Sequence, residues 1–327
     1  MEEKEYKYMV SVRCFTFNQS KYILDALNGF VMQQTNFPYV VMVVDDASTD
    51  GEQEVIRKFV SEQFDTNDTS VAYEKETDYA HITYAQHKIN KKCYIAILYL
   101  KENHYSQRKS KMPYLSEWRD YVKYEALCEG DDYWIDIQKL QKQVDFLEEN
   151  EEYVLTCHRY KIFDEEKNEW YNSDGLDYIF VNKTCVTFDN KVKVWLTKTL
   201  TLMYRIDALG KYNKYEGRKR DTILNYFLLK EGLGACFNEI MGVYRLNLGG
   251  ICGKQPLKRK IKDGYLVCQE LFYYEKNRIT RKKYYSYYAT MFVLTKGKIL
   301  FEEKFELRKF LSLPYHLSKK LIRKINK

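Results

Sequence analysis

Residues Glu129-Gly130-Asp131-Asp132-Tyr133-Trp134 set three carboxylates within four positions, after the largely apolar stretch Tyr124 to Cys128 and before a helical pattern. Such a cluster repels itself unless its members stay solvated, take up protons or share a cation. Oxygen ligands of this kind suit Mg²⁺ or Mn²⁺. The same residues also suit an acidic turn in which Asp136 caps the following helix, where carboxylates meet the positive end of the helix dipole. A second acidic turn, Asp45-Asp46-Ala47-Ser48-Thr49-Asp50-Gly51, closes the β-branched run Tyr39 to Val44. By itself it reads as an ordinary turn with Ser48 or Asp50 capping the next helix.

The elements that would position these turns follow from periodicity. Tyr39 to Val44 reads as a strand buried on both faces, and Met9 to Phe17 as another. Between them, Tyr22, Ile23, Ala26, Leu27, Phe30 and Val31 recur at helical spacing within Lys21 to Gln34. A strand, helix, strand unit implies a parallel pair, and open α/β sheets bind ligands outside the carboxyl ends of their strands. Both acidic turns fall on that edge. Ile95 to Leu100, Tyr153 to Phe163 and Thr199 to Tyr204 are further strands, and Leu140 to Asn150 is an amphipathic helix.

In order and separation, Val10-Ser11-Val12 through Phe17-Asn18, Val43 to Gly51 and Glu129 to Trp134 resemble the nucleotide-binding half of the family-2 glycosyltransferases. Arg220-Asp221-Thr222, then Leu228 to Gly232, then Met241 to Arg245 are similar to that family's acceptor-side segment. The resemblance covers about residues 8 to 252. It implies a GT-A, Rossmann-like α/β fold with a mostly parallel sheet flanked by helices. It also implies an inverting transfer of a sugar from a nucleotide-sugar, UDP-linked by family habit, to an acceptor hydroxyl in polysaccharide or glycoconjugate synthesis. Asp131 and Asp132 match the metal-binding motif, for Mn²⁺ or Mg²⁺, and Glu129 takes the position usually held by Asp. Asp46 matches the carboxylate that meets the base or ribose, and backbone groups near Phe15, Thr16 and Phe17 would flank the base. Asp221 matches the catalytic base, a role compatible with a place at a helix start. Arg245 matches a basic residue at the mouth of the site, whose planar fork suits a diphosphate. Two positions depart from the family pattern: Phe15 stands where Pro is common, and Asn247 where many relatives place His, so that contact with metal or phosphate there is in question.

Composition agrees. A chain of 327 residues, 45% hydrophobic, can bury one large α/β domain, expected over 1–252, with a helical extension over 253–327. The extension places Leu266, Leu271, Ile279, Phe292 and Leu300 toward its core. No apolar run is long enough to span a membrane, and the acidic start is the wrong charge for a secretory signal, so the expected location is cytoplasmic. Eight Cys without a CxxC pair argue against a zinc site or a disulfide frame. His81, His87 and His104 match no metal spacing and read as surface or core-edge residues. Thirty-one Tyr and a net charge of +7 permit a sugar cleft without specifying one, and no nucleic-acid-binding pattern accompanies the charge. The loop 102–111 is polar and basic. The tail 315–327, basic and amphipathic, could rest on the inner face of an anionic membrane beside a lipid-linked acceptor, or be a solvated helix end. Two other readings stay open: an inactive nucleotide-sugar or glycan-binding relative, and a sugar nucleotidyltransferase, although Ser11 to Asn18 lacks a triphosphate loop.

Overall fold

The computed structural model describes residues 6–171, 174–190, 196–247 and 256–294. In chain order the elements are β1 (Tyr8–Thr16), α1 (Ile23–Val31), β2 (Tyr39–Asp45), α2 (Glu52–Gln63), β3 (Tyr73–Glu76), β4 (Ala80–Gln86) and β5 (Cys93–Leu100). There follow α3 (Ser116–Arg119), β6 (Val122–Leu127), β7 (Tyr133–Trp134), α4 (Lys139–Glu149), β8 (Tyr153–Asp164) and β9 (Glu169–Tyr171). The last are β10 (Cys185–Phe188), β11 (Met203–Arg205), α5 (Gly210–Asn213), α6 (Asp221–Glu231), β12 (Leu233–Leu246), α7 (Leu257–Glu275) and α8 (Arg278–Leu294). They form two compact units, Met1–Lys211 with Phe227–Leu248, and Tyr212–Tyr226 with Gly249–Lys327.

The first unit is built on one sheet with the order β10-β12-β8-β11-β6-β1-β2-β5-β4-β3. Every residue of β2 is buried, as its β-branched run requires of a strand covered on both faces. Each fully buried valine of this kind contributes about 1.5–3 kcal/mol. One face packs Val41 and Val43 with Ile23, Leu27 and Phe30 of α1 and Ile56 and Phe59 of α2. The other packs Val40, Met42 and Val44 with Leu115 and Trp118. Helix α1 crosses close to β7, because a side chain at Gly29 would meet the backbone N and O of Trp134 at 3.0 Å. Strand β3 forms one margin of the sheet; it is short and its Glu74, Lys75 and Glu76 are exposed.

The sheet is mixed rather than mostly parallel. Strands β6, β1, β2 and β5 run parallel, as do β8 and β12. The remaining pairings are antiparallel. The reason lies in the connections: α1 carries the chain over the sheet between parallel neighbours, whereas β3, β4 and β5 succeed one another through tight turns. A second difference concerns 199–204, where Thr199–Thr201 is a 3₁₀ turn and strand begins only at Met203. The Thr201 hydroxyl accepts from the Lys198 N–H at 3.0 Å and donates to the Lys198 carbonyl at 2.9 Å, diverting backbone groups from a ladder. Asp136 accepts from the Gln138 N–H at 2.7 Å, just ahead of α4.

In the second unit α7 and α8 pack through Tyr265, Cys268, Tyr284, Tyr288, Ala289 and Met291, with Leu266 and Phe292 against that cluster. Leu271 is buried and Ile279 half-buried. The Tyr215 hydroxyl donates to Glu270 at 2.8 Å, and the Tyr226 hydroxyl to Glu275 at 2.7 Å. The expected boundary at 252, Leu300 and the tail 315–327 lie outside the described residues. Among the described residues, no helix is long and apolar enough to cross a membrane.

Candidate active site

Strands β1 and β2 end together, with Thr16 level with Asp45, and β6 ends on the same edge three residues short of them, with Leu127 level with Arg13. Three loops leave that edge, carrying Phe17-Asn18, Asp46 to Asp50 and Glu129 to Asp132. The first two are fastened to each other: Asn18 accepts from the Thr49 N–H at 2.8 Å, Ser48 from the Asn18 N–H at 2.9 Å, and Asp50 from the Ser20 N–H at 3.0 Å. Asn18 adopts φ of 53° to make this turn. Glu52, buried at the start of α2, joins the same knot by accepting from Thr16 Oγ, Ser48 Oγ and the Gln19 N–H. Sequence reasoning passed over Glu52, although Thr49-x-x-Glu52 has the spacing of a capping box. The third loop closes on β1 through Gly130, whose N–H donates to the Phe15 carbonyl at 3.3 Å. A side chain at Gly130 would lie 2.5 Å from Thr16 Oγ and Gln19 Oε1, so the acidic turn reaches β1 only because this residue has none.

Within that turn the three carboxyls differ. Asp132 is buried, and its Oδ1 accepts from the Arg245 N–H at 2.9 Å. Burial, then the neighbouring Asp131 charge, push its carboxyl well above the usual range. Asp131 is partly exposed and its Oδ2 accepts from Asn247 Nδ2 at 2.8 Å; burial raises it, and the Asn247 bond pulls it back down. Burial lifts Glu129 up to about 7, with the Arg13 charge opposing and Asp131 adding.

Among the described residues, no group of three or more His, Cys, Asp or Glu side chains is arranged to hold a metal ion. The oxygen chemistry around Asp131 nevertheless fits a hard cation. Asp131 offers a carboxylate that is not fully enclosed, and beside it the buried Asn247 Oδ1 has no hydrogen-bond partner among the described residues. Asp132, turned toward the Arg245 amide, sits behind this pair.

Arg245 is held from every side. Its guanidinium donates to Asp25 at 2.6 Å, to Glu165 at 2.5 Å and to the Asp131 carbonyl at 3.0 Å. It lies between the rings of Tyr22 and Tyr133, 4.9 and 5.0 Å from their centres. Its fork therefore ties α1, β12 and the loop after β8 to the acidic turn, and Asp25 and Glu165 were not singled out in the sequence.

Asp46 is likewise engaged. Its carboxylate accepts from the His104 and Tyr105 N–H groups at 2.8 and 3.0 Å and from Lys111 Nζ at 3.0 Å, while its carbonyl accepts from Asn103. The loop 103–111 is thus hung on Asp46. Lys111 Nζ and the Arg13 guanidinium stand 4.7 and 4.9 Å from the Phe15 ring centre, and Phe17 is exposed beyond them. Arg13 and Arg119 share the buried Glu125; burial alone would raise that carboxyl, but the two cations bring it below its ordinary value. His87 and His104 prove buried, and His81 pairs with Glu76 at 3.1 Å.

Asp221 belongs to the second unit. It is exposed at the first residue of α6, as expected of a helix start, and accepts from the Thr222 N–H at 2.7 Å.

Residues 11–94 match the family model described as glycosyl transferase family 2. Over 157 residues the chain is 30% identical to the uncharacterized protein Rv1520 of Mycobacterium tuberculosis, a match covering 48% of this chain and 36% of that protein. The chain thus spans about a third of the length of the mycobacterial relatives it matches. TuaG of Bacillus subtilis, named for a glycosyltransferase of teichuronic acid biosynthesis, is 25% identical over 244 residues, 74% of this chain and 80% of TuaG. The fold is shared with S. aureus TarS 1-349 in complex with UDP-GlcNAc, at a TM-score of 0.55 and 15% identity, covering 95% of this chain and 80% of that one. It is shared equally with the mannosyltransferase PcManGT of Pyrobaculum calidifontis in complex with GDP-Man and Mn²⁺, at a TM-score of 0.52 and 13% identity, covering 97% and 81%. Residues 11–94 thus match the model of glycosyl transferase family 2, and the fold is shared with these two solved transferase structures.

Proposed function

We propose that the chain is a metal-dependent, inverting glycosyltransferase of the GT-A type, moving a sugar from a UDP-linked donor to an acceptor hydroxyl in polysaccharide or glycoconjugate synthesis. The observation that carries the reading is the meeting of the two acidic turns at the shared carboxyl edge of β1, β2 and β6, with Gly130 seated on Thr16. TarS with UDP-GlcNAc and TuaG in teichuronic acid biosynthesis support the donor and the acceptor class, and PcManGT with Mn²⁺ supports the cation.

In this reading Asp131, with Asn247 beside it, holds Mn²⁺ or Mg²⁺, which when bound neutralises charge on a departing nucleoside diphosphate. Backbone groups of Phe15, Thr16 and Phe17 flank the base. Asp46 acts on the nucleotide through the loop 103–111 that it supports, and Asp132 and Arg245 orient Asp131 from behind. Glu129 borders the ribose. Asp221 accepts the proton of the acceptor hydroxyl as that oxygen bonds to the anomeric carbon and the bond from that carbon to the diphosphate oxygen breaks. The acceptor is a saccharide or a lipid-linked glycan, and a site of action at the cytoplasmic membrane face rests on the sequence of 315–327 alone.

The test is nucleotide release from a panel of nucleotide-sugars with Mn²⁺ or Mg²⁺ and with EDTA. Asp131→Asn is expected to abolish metal-dependent release, and Asp221→Asn to lower acceptor-dependent turnover by about 10²–10⁴-fold while sparing donor binding. Tight nucleotide binding that is indifferent to metal, without turnover of any donor, would instead establish a binding protein.

A further inference from the structure

Among the described residues, the cations around the acidic turn are, with one exception, already committed. Arg245 is held by Asp25 and Glu165, Arg13 and Arg119 by Glu125, and Lys111 by Asp46. Lys139 is fully buried against the Trp134 ring and Gln143, and burial lowers it to about 7. Lys198 differs. It is partly exposed, and among the described residues no carboxylate lies within ion-pairing distance of its ammonium, which stands 4.5 Å from the centre of the Tyr244 ring.

Its position is fixed by the backbone. The reciprocal Thr201 bonds close the turn from Lys198 to Thr201, and Trp134 Nε1 donates to the Leu200 carbonyl at 2.8 Å, tying that turn to the strand that follows the acidic residues. Tyr244, beneath the ammonium, immediately precedes the Arg245 N–H that binds Asp132. Strand β11 enters antiparallel to β6, with Met203 level with Ala126, so Lys198 arrives at the carboxyl end of β6. In the sheet order β11 lies on the opposite flank of β6 from β1 and β2; β1 carries Phe15, and the loops after β1 and β2 carry Phe17 and Asp46. A favourable effect of the Lys198 charge on the Asp132 carboxyl agrees with this proximity.

We propose that Lys198 is the cation that meets the anionic oxygens of the donor beyond its nucleoside, taking the part that the sequence pattern gives to Arg245. Those oxygens belong either to the diphosphate or to a carboxylate on the transferred sugar. An ammonium over a tyrosine face, without a carboxylate to compete, is poised for an incoming anion, whereas drawing Arg245 away would break its bonds to Asp25, Glu165 and the Asp131 carbonyl. The inference rests on the donor-site reading above.

Calorimetric binding of uridine, UDP, UDP-glucose and UDP-glucuronic acid to the full chain with Mn²⁺ tests it, comparing wild type with Lys198→Met and Lys198→Arg. If the diphosphate is the partner, Lys198→Met weakens UDP by about tenfold or more and leaves uridine unchanged. If a sugar carboxylate is the partner, UDP is unchanged, and the wild type's preference for UDP-glucuronic acid over UDP-glucose disappears in Lys198→Met. Lys198→Arg keeps most of the affinity in either case, which separates charge from packing. Wild-type affinities for all four ligands in Lys198→Met would overturn the role of Lys198 while leaving the donor site standing. A wild-type protein that binds uridine but none of the diphosphates, or none of the four ligands, would overturn the donor-site reading and this inference together.

Discussion

At the scale of single residues, the acidic turn is a set of three carboxyls that burial pushes above their ordinary values. Burial lifts Glu129 up to about 7, so the folded chain retains a proton there that the unfolded chain releases at lower pH. The linkage has one sign: the stabilisation tied to that proton is whole below the ordinary carboxyl range and is lost as pH rises through about 7. Glu129→Gln, neutral at every pH, should therefore raise stability at pH 8 by about 1–3 kcal/mol and change it little near pH 4. Urea unfolding in EDTA at the two pH values checks this, and an equal gain at both would show that the side chain does not titrate in that window. The turn's chemistry was legible because Glu129, Asp131 and Asp132 adjoin in sequence. The difference between Asp131, open beside Asn247, and Asp132, closed against the Arg245 N–H, was not, since it depends on β12 arriving from 113 residues away.

At the scale of elements, β1, α1, β2, β5 and α4 appear where periodicity placed them, with ends shifted by up to three residues, because each covers a continuous face of the core. Thr199 to Tyr204 misled for a local reason, the Thr201 hydroxyl competing for backbone groups. Strand β3, Tyr73–Glu76, gave no signal in the sequence because it exposes most of its side chains and has no apolar face to show. The loop 103–111 illustrates what long-range bonds decide. Its polar sequence reads as solvated, yet two of its N–H groups and Lys111 converge on the buried Asp46 carboxylate. Asp46→Asn leaves a single acceptor oxygen for three donors and removes the charge that holds Lys111. Hydrogen exchange at 103–111 should quicken by about tenfold or more, with β1 and β2 unaffected. Unaltered protection in that loop would mean that the carboxylate is not what orders it.

At the scale of the whole molecule, the second unit draws Tyr212–Tyr226 from the middle of the chain to join residues near its end. The hydroxyls of Tyr215 and Tyr226 and the Arg218 N–H are satisfied by Glu270 and Glu275, both on α7. A chain cut after residue 247 keeps Tyr212–Tyr226 but removes those partners together with the α7 and α8 core. We expect the shortened chain to lose the helical signal of α6 and to be cleaved rapidly within 212–226 under limited proteolysis; resistance there equal to the full chain's would show that the segment orders itself without α7. The sheet of the first unit has another consequence. Its margin at β3 offers unpaired backbone groups for only four residues, three of them charged, in the order Glu74, Lys75, Glu76. A second copy sliding alongside would find too short a ladder and a row of hydrated side chains to strip, so the sheet ends there without becoming a template for fibrous growth when the protein is crowded.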